Sequence, residues 1–352
     1  MRKPGFNLAL AACVLAFVVV LLGAYTRLTH AGLGCPDWPG CYGFIAVPQT
    51  DAQLAHAQEH FPHAPVEEEK GWNEMVHRYF AGTLGVLILA QAIGAWRRRD
   101  EPDQPVKLPL LLLGVVVVQA AFGMWTVTLK LWPQVVTAHL LGGFTTLCLQ
   151  ALLTLRLSQR WPVLSALQLR RRLRTLAAVG LFAVVLQVAL GGWVSSNYAA
   201  VACVDLPTCH GQWWPTMDFA NGFHLTQHIG PNYLGGQLDS DARTAIHMSH
   251  RLGALLVSTL LLLLSISLWR AGLVRLAQAL LLALALQVSL GLSNVWFHLP
   301  LWVAVAHNAG GAWLTLTLMA INYRIRSAPS AHPRVSHATW SPLAQAQSNA
   351  QK

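Results

Sequence analysis

Long apolar runs separated by polar breaks dominate the chain. Eight of these runs reach the roughly 17–25 residues that a helix needs to cross a bilayer. They lie at about 8–26, 76–95, 108–129, 134–155, 174–195, 246–268, 273–293 and 301–322. In lipid every backbone polar group must be satisfied within the segment, so each run predicts a transmembrane α-helix. Arg2 and Lys3 precede the first run as they would in a signal peptide. That run is long for a signal h-region and no small-x-small cleavage site follows it cleanly, so it reads as a retained helix. The pattern predicts an all-α polytopic membrane protein with eight transmembrane helices.

Two of the polar breaks are long, about 27–75 and 196–245, and the others are short. The segment from His56 to Lys70, with three histidines and three consecutive glutamates, reads as a solvated loop rather than a metal site. From about 327 onward the chain is rich in Ser, Ala, Pro and Gln and reads as a disordered tail.

Composition agrees with the spans. Hydrophobic residues make up 54% of the 352 and charged ones only 11%, against about a quarter in soluble domains. The net charge of +10 would suggest nucleic acid in a soluble protein, but the spans sort it by side. One set of breaks carries 18 basic residues, among them Arg2, Lys3, Arg97–Arg99, Arg170–Arg172 and Lys352. The other set carries six: Arg27, Lys70, Arg78, Lys130, Arg243 and Arg251. Positive residues stay inside, so both termini are expected in the cytoplasm and the long loops outside. The charge is then a topology signal, and nucleic acid drops out as a partner.

The chain repeats itself. A shift of 168 residues lays Cys203, Asp205, Pro207, Cys209 and Gly211 on Cys35, Asp37, Pro39, Cys41 and Gly43. The same shift lays Gln287 and Gly291 on Gln119 and Gly123, and His307 on His139. MSHR at 248–251 matches MVHR at 75–78 at a shift of 173, so the second outer loop is five residues longer. An even number of spans per half makes the repeats parallel, related by an axis along the membrane normal. The expected organisation is two pseudo-symmetric four-helix bundles, 1–160 and 161–326, followed by the tail 327–352.

Intramembrane ionisable residues are costly and usually functional. His77, His139, His250 and His307 stand near the outer starts of spans 2, 4, 6 and 8. At 1.5 Å per residue each lies within roughly 10 Å of the outer boundary, so the four share one depth. Within a half the two histidines come from helices running the same way, which suits two imidazoles facing each other across a haem iron. Arg78 and Arg251 follow two of the histidines, where haem propionates need cationic partners. Gly142-Gly143 and Gly310-Gly311 flank the other two and permit close approach of a macrocycle or a helix. Interfacial histidines satisfied by backbone carbonyls are the plainer alternative, which a fourfold repeat in register disfavours. Zinc lacks a third or fourth ligand at this depth.

Cys35 with Cys41, and Cys203 with Cys209, read as two local disulfides on the oxidising side. Spacing alone leaves open whether they are structural staples or redox-active. Cys13 and Cys148 fall in spans and read as packing residues. Glu74 lies one helical turn before His77, and the corresponding residue of the second half is His247. A carboxylate there can order water, take a proton or offset developing positive charge. It can equally favour a helix N-terminus.

Six segments together resemble the haem A synthase family: GAYTRLTHAGLGCPDWPGCYG at 23–43, NEMVHRYFAG at 73–82, VTAHLLGG at 136–143, LGGWVSSNYAAVACVDLPTCHGQWWP at 190–215, HMSHRLGA at 247–254 and VAHNAGG at 305–311. The likeness runs from about 8 to 322. It implies an oxidoreductase that converts the C8 methyl group of haem O to a formyl group by two hydroxylations and loss of water, supplying haem A for cytochrome c oxidase. It also implies a resident haem b, with its iron, on His250 and His307 with Arg251 nearby. The substrate haem O would sit between His77 and His139 with Arg78 nearby, and Glu74 would be required for the chemistry. In some members the first cysteine pair takes part in turnover. The implied setting is the bacterial inner membrane. The implied partners are haem O synthase and an electron acceptor; self-association stays open. Two further classes compete: a di-haem electron carrier, and a thiol oxidase built on the loop cysteines. The Glu74/His247 asymmetry favours an enzyme with one working half, and a thiol oxidase leaves the four histidines unexplained.

Overall fold

A computed structural model describes residues 2–158 and 171–326. The expected junction at 160–161 and the tail from 327 lie outside the described residues. The secondary structure is helical, with only isolated bridges at Cys41–Phe44 and Cys209–Gln212 among the described residues. The helices are α1 (Phe6–Leu28), α2 (Asp51–His60), α3 (Glu68–Arg97), α4 (Lys107–Thr128), α5 (Pro133–Ser158), α6 (Arg171–Ser196), α7 (Phe219–Gly222), α8 (Ser240–Arg270), α9 (Val274–Trp296) and α10 (Leu301–Arg326).

Seven of these, α1, α3, α4, α5, α6, α8 and α9, are long and apolar enough to cross a membrane. With α10 of similar length beside them, the chain is an all-α, multi-pass membrane protein. α10 falls short of the same apolar criterion because His307, Asn308, Gly310, Gly311 and Asn322 interrupt its run. Large side chains such as Val117, Phe182, Leu256 and Leu282 stand exposed on the outer faces of the helices, as lipid contact requires.

Each half closes as a ring of four. In the first, α1 packs on α3 and α5, and α4 packs on α3 and α5. In the second, α6 packs on α8 and α10, and α9 on α8 and α10. The halves meet through α5 on α6, α1 on α10, and α5 on α10, the arrangement a twofold axis between them produces. Residues 168 apart touch along this seam. Arg27 donates to the Ser195 carbonyl and lies over the Tyr198 ring at 4.0 Å, and His30 stacks on Tyr198.

A packed core fills the end of each bundle away from the disulfide loops. In the first it joins Ala9, Ala12 and Ala16 of α1 to Ile88, Leu112, Leu147 and Leu153. In the second it joins Ala177 of α6 to Leu261, Leu264, Leu280 and Leu318. Small residues on α1 and α6 let the backbones approach, which is the main source of helix association in lipid. Each core holds one matching polar clamp. Gln150 donates to the Ala9 carbonyl at 3.0 Å, and Asn322 donates to the Ala177 carbonyl at 2.8 Å. Ala9 and Ala177 are again 168 apart.

Two expected boundaries move. α3 and α8 begin at Glu68 and Ser240, earlier than the apolar runs, because a helix can rise above the membrane on polar residues. The segment read as a solvated loop is helical at its start. Thr50 caps α2 with a reciprocal capping box to Gln53, a signal that apolar periodicity does not carry. Its histidines remain near the surface, with His56 and His60 stacked at 4.0 Å.

Candidate functional site

Both disulfides form, Cys35–Cys41 and Cys203–Cys209, with Cα separations of 4.8 and 4.9 Å. The loops they close are copies of one another. Asp37 accepts from the Tyr42 and Gly43 amides at 2.6 and 2.8 Å, and Asp205 accepts from His210 and Gly211 at 2.8 and 3.0 Å. Such carboxylate-to-amide bonds organise a tight turn. Tyr42 and His210 hold positive φ at matching positions, and Gly43 and Gly211 follow them in the same region. Asp205 has a further bond from the Thr208 hydroxyl at 2.6 Å, which with the two amides draws its carboxyl down to about 2.

Each loop is seated on the first turns of a histidine helix. Arg78 donates to the carbonyls of Asp37, Pro39 and Gly40, and Arg251 to those of Thr208 and Cys203. Both guanidinium groups, expected beside propionates, are therefore engaged with the loops. Of these two, Arg251 has its Nε buried without a partner. Met75 and Met248 pack beneath the two disulfides. Gly34 lies against the backbone of Lys70 and Gly71, and a Cβ there would meet the Lys70 carbonyl carbon at 2.5 Å.

Glu74 is buried, 5% exposed, and its two oxygens have separate partners. Oε2 accepts from the Cys35 amide at 3.0 Å, and Oε1 pairs with Arg78 at 2.5 Å. In the second half the Cys203 amide donates to Nδ1 of His247 at 3.3 Å. Glu74 and His247 thus perform the same loop-holding duty, but only Glu74 brings an acid and an ion pair.

The four histidines occupy equivalent places, each backed by a glycine on the neighbouring helix. A Cβ on Gly23 would lie 3.0 Å from the His77 ring, on Gly123 3.5 Å from His139, on Gly191 3.2 Å from His250, and on Gly291 3.1 Å from His307. The pairs His77 with His139 and His250 with His307 are close enough to interact electrostatically. Nδ1 of His77, His139 and His307 is buried with no hydrogen-bond partner. Among the described residues no cluster of three or more His, Cys, Asp or Glu side chains is placed to hold a metal ion.

Three of the four backing glycines follow a glutamine by four residues: Gln119, Gln187 and Gln287. Each amide lies against the glycine three residues after the histidine, Gly142, Gly253 and Gly310. These glycines thus admit a side chain from the next helix, and Gly143 has open space around it. Sequence reading noted Gln119, Gln287 and their glycines only as marks of the repeat. The recurring Q-x3-G spacing is the signal that would have tied them to the histidines.

Comparison with known proteins adds the decisive observation. A family model described as cytochrome oxidase assembly protein matches residues 6–319. A protein of Shewanella oneidensis named Heme A synthase is 49% identical over 323 residues, 92% of this chain and 97% of the relative. The chain belongs to the haem A synthase family. More distant members include the Heme A synthases of Novosphingobium aromaticivorans, 28% identical over 89% of this chain and 93% of the relative, and Nitrosospira multiformis, 27% identical over 92% and 94%. The family match covers all four histidines, Glu74 and both cysteine pairs of this chain.

Proposed function

We propose that this protein is a haem A synthase, an oxidoreductase that converts the C8 methyl group of haem O to a formyl group for cytochrome c oxidase assembly. One observation carries the reading: two matching histidine pairs, each backed by glycine, of which only the first has a buried carboxylate one turn away. A di-haem electron carrier gives no reason for that difference.

The residues fit an iron porphyrin in each half. Imidazole nitrogens of His77, His139 and His307 are buried without partners, such nitrogens would serve as iron donors, and the glycines keep the helix backbone close to each of the four rings. His250 and His307 would hold a resident haem b; His77 and His139 would hold haem O. Iron porphyrin supplies the electron chemistry when bound. The protein's part is to bind, orient and shield. The bundle core closes the site from one end, and the disulfide loop, pinned by Arg78, covers the other. Glu74 holds a negative charge or a proton beside the substrate, with Arg78 and the Cys35 amide fixing its two oxygens. Eight spans, both termini in the cytoplasm and a bacterial inner-membrane location complete the reading. Haem O synthase and an electron acceptor are its partners in the bilayer.

Extraction of the haems from purified variants tests the assignment of halves. His250→Ala loses haem b and keeps the capacity to take haem O; His139→Ala does the reverse. Equal loss of both haems from each variant contradicts the division.

A further inference from the structure

Each disulfide loop ends in apolar side chains that the rest of the described chain leaves uncovered. After the Cys41–Phe44 bridge comes Ile45, 88% exposed. After the matching Cys209–Gln212 bridge come Trp213 and Trp214, 74% and 66% exposed. Scattered exposed apolar residues are ordinary. Here Ile45 and Trp213 are 168 apart, so the exposure recurs at one place in the repeat.

Tyr79 fixes the depth of the first tip. It lies on the exposed face of α3 with Val86 and Ile93, seven and fourteen residues on, the face that meets lipid. Its hydroxyl donates to the Ile45 carbonyl. Helical side chains lean toward the helix N-terminus, which in α3 is the loop end. The hydroxyl therefore lies near the level where the apolar run begins, at about 76. Ile45 is held at the edge of the lipid-facing surface, where a tyrosine ring keeps its body in hydrocarbon and its hydroxyl among headgroups. In the second half Leu252 stands in place of Tyr79, exposed on one face with Leu256 and Leu263. It has no hydroxyl to offer, and there the loop itself brings the aromatic rings. Each half thus has interface-seeking aromatic residues beside its disulfide loop, on the helix in one and on the loop in the other.

We propose that the tips of both disulfide loops dip into the headgroup layer and bind phospholipid, through Ile45 beside Tyr79 in the first half and Trp213 with Trp214 in the second. The inference goes beyond the haem chemistry and does not depend on which haem each half holds. The other side of each loop is seated on a histidine helix through Arg78 or Arg251. A lipid contact at the tip ties the cover of each histidine pair to the membrane surface, so the loop is held between helix and bilayer. Tryptophan suits that place, with an N–H for the headgroups and an apolar body for the acyl chains.

The test places the photoreactive residue p-benzoylphenylalanine at position 45 or 214 of the full chain, reconstituted in vesicles of phosphatidylethanolamine and phosphatidylglycerol. Position 86, mid-span on the exposed face of α3, is the lipid-facing reference, and position 59, exposed on α2, the water-facing one. Illumination is expected to leave phospholipid-sized mass adducts on the peptides carrying 45 and 214, as at 86, and none at 59. Absence of lipid adducts at 45 or 214 while 86 gives them overturns the proposal. Cross-links to a second copy of the chain in their place overturn it as well. If a variant does not fold, amide exchange in the unmodified chain decides. Exchange at Ile45, Trp213 and Trp214 is expected to be slower in lipid nanodiscs than in amphipol, which brings no headgroup layer, and equal rates overturn the proposal.

Discussion

Glu74 accepts a hydrogen bond from the Cys35 amide, and His247 takes the matching bond from Cys203. The loop can therefore be held by either side chain, and chemistry is what separates them. Glu74→His is expected to keep the first disulfide loop folded and the second-half haem bound while abolishing haem A formation, at least 100-fold by the scale of acid–base contributions. Protease resistance of the loop together with product analysis checks this; retained activity removes Glu74 from the chemistry. Asp205 makes a separate prediction. Its carboxyl is drawn below the ordinary 3.8 to about 2, so its contribution to the second loop is complete above 3.8. That contribution fades as the pH falls through about 2. Amide exchange at His210 and Gly211 should accelerate over that window in the wild type, and Asp205→Asn should remove the dependence. The loop contacts of Arg78 and Arg251 were not legible at this scale. A basic residue after a histidine suits a propionate, whereas the loop carbonyls that claim it are some 40 positions away in sequence.

Among the elements, the helices were the most readable feature, because a span must be apolar along its whole length. Their outer starts were not, since α3 and α8 extend on polar residues held by the loops they support. α2 escaped notice because its stability comes from a cap and contact with the disulfide loop, through Ala57, rather than from an apolar stripe. Helix pairing was also hidden. The glycine behind each histidine is visible in sequence only once the neighbouring helix is known. The matching clamps from Gln150 to Ala9 and from Asn322 to Ala177 show how each core fixes the register of its first helix. Gln150 is fully buried and also donates to Gln91. Gln150→Leu should therefore cost about 1–3 kcal/mol, the range for leaving buried polar partners unmet. Thermal unfolding in detergent measures the loss; no change in the midpoint would mean that the clamp carries no weight.

At the scale of the molecule, the two rings share one arrangement of helices and keep the same motif residues at matching places. The seam places residues 168 apart in direct contact, Arg27 against Ser195 and His30 against Tyr198, so the axis that relates the halves passes between them. The repeat was plain in the sequence, because cysteines, prolines and histidines recur in order. Its main asymmetry was visible there too, Glu74 standing where the second half has His247. The proposed function gives that difference a meaning, one half keeping a haem and the other working on a passing one. The most direct test is the haem content of cells from which this gene has been deleted, extracted and separated by chromatography. In those cells haem O should accumulate and haem A disappear, with haem A restored by the wild-type gene. Haem A at its normal level in the deleted cells would contradict it.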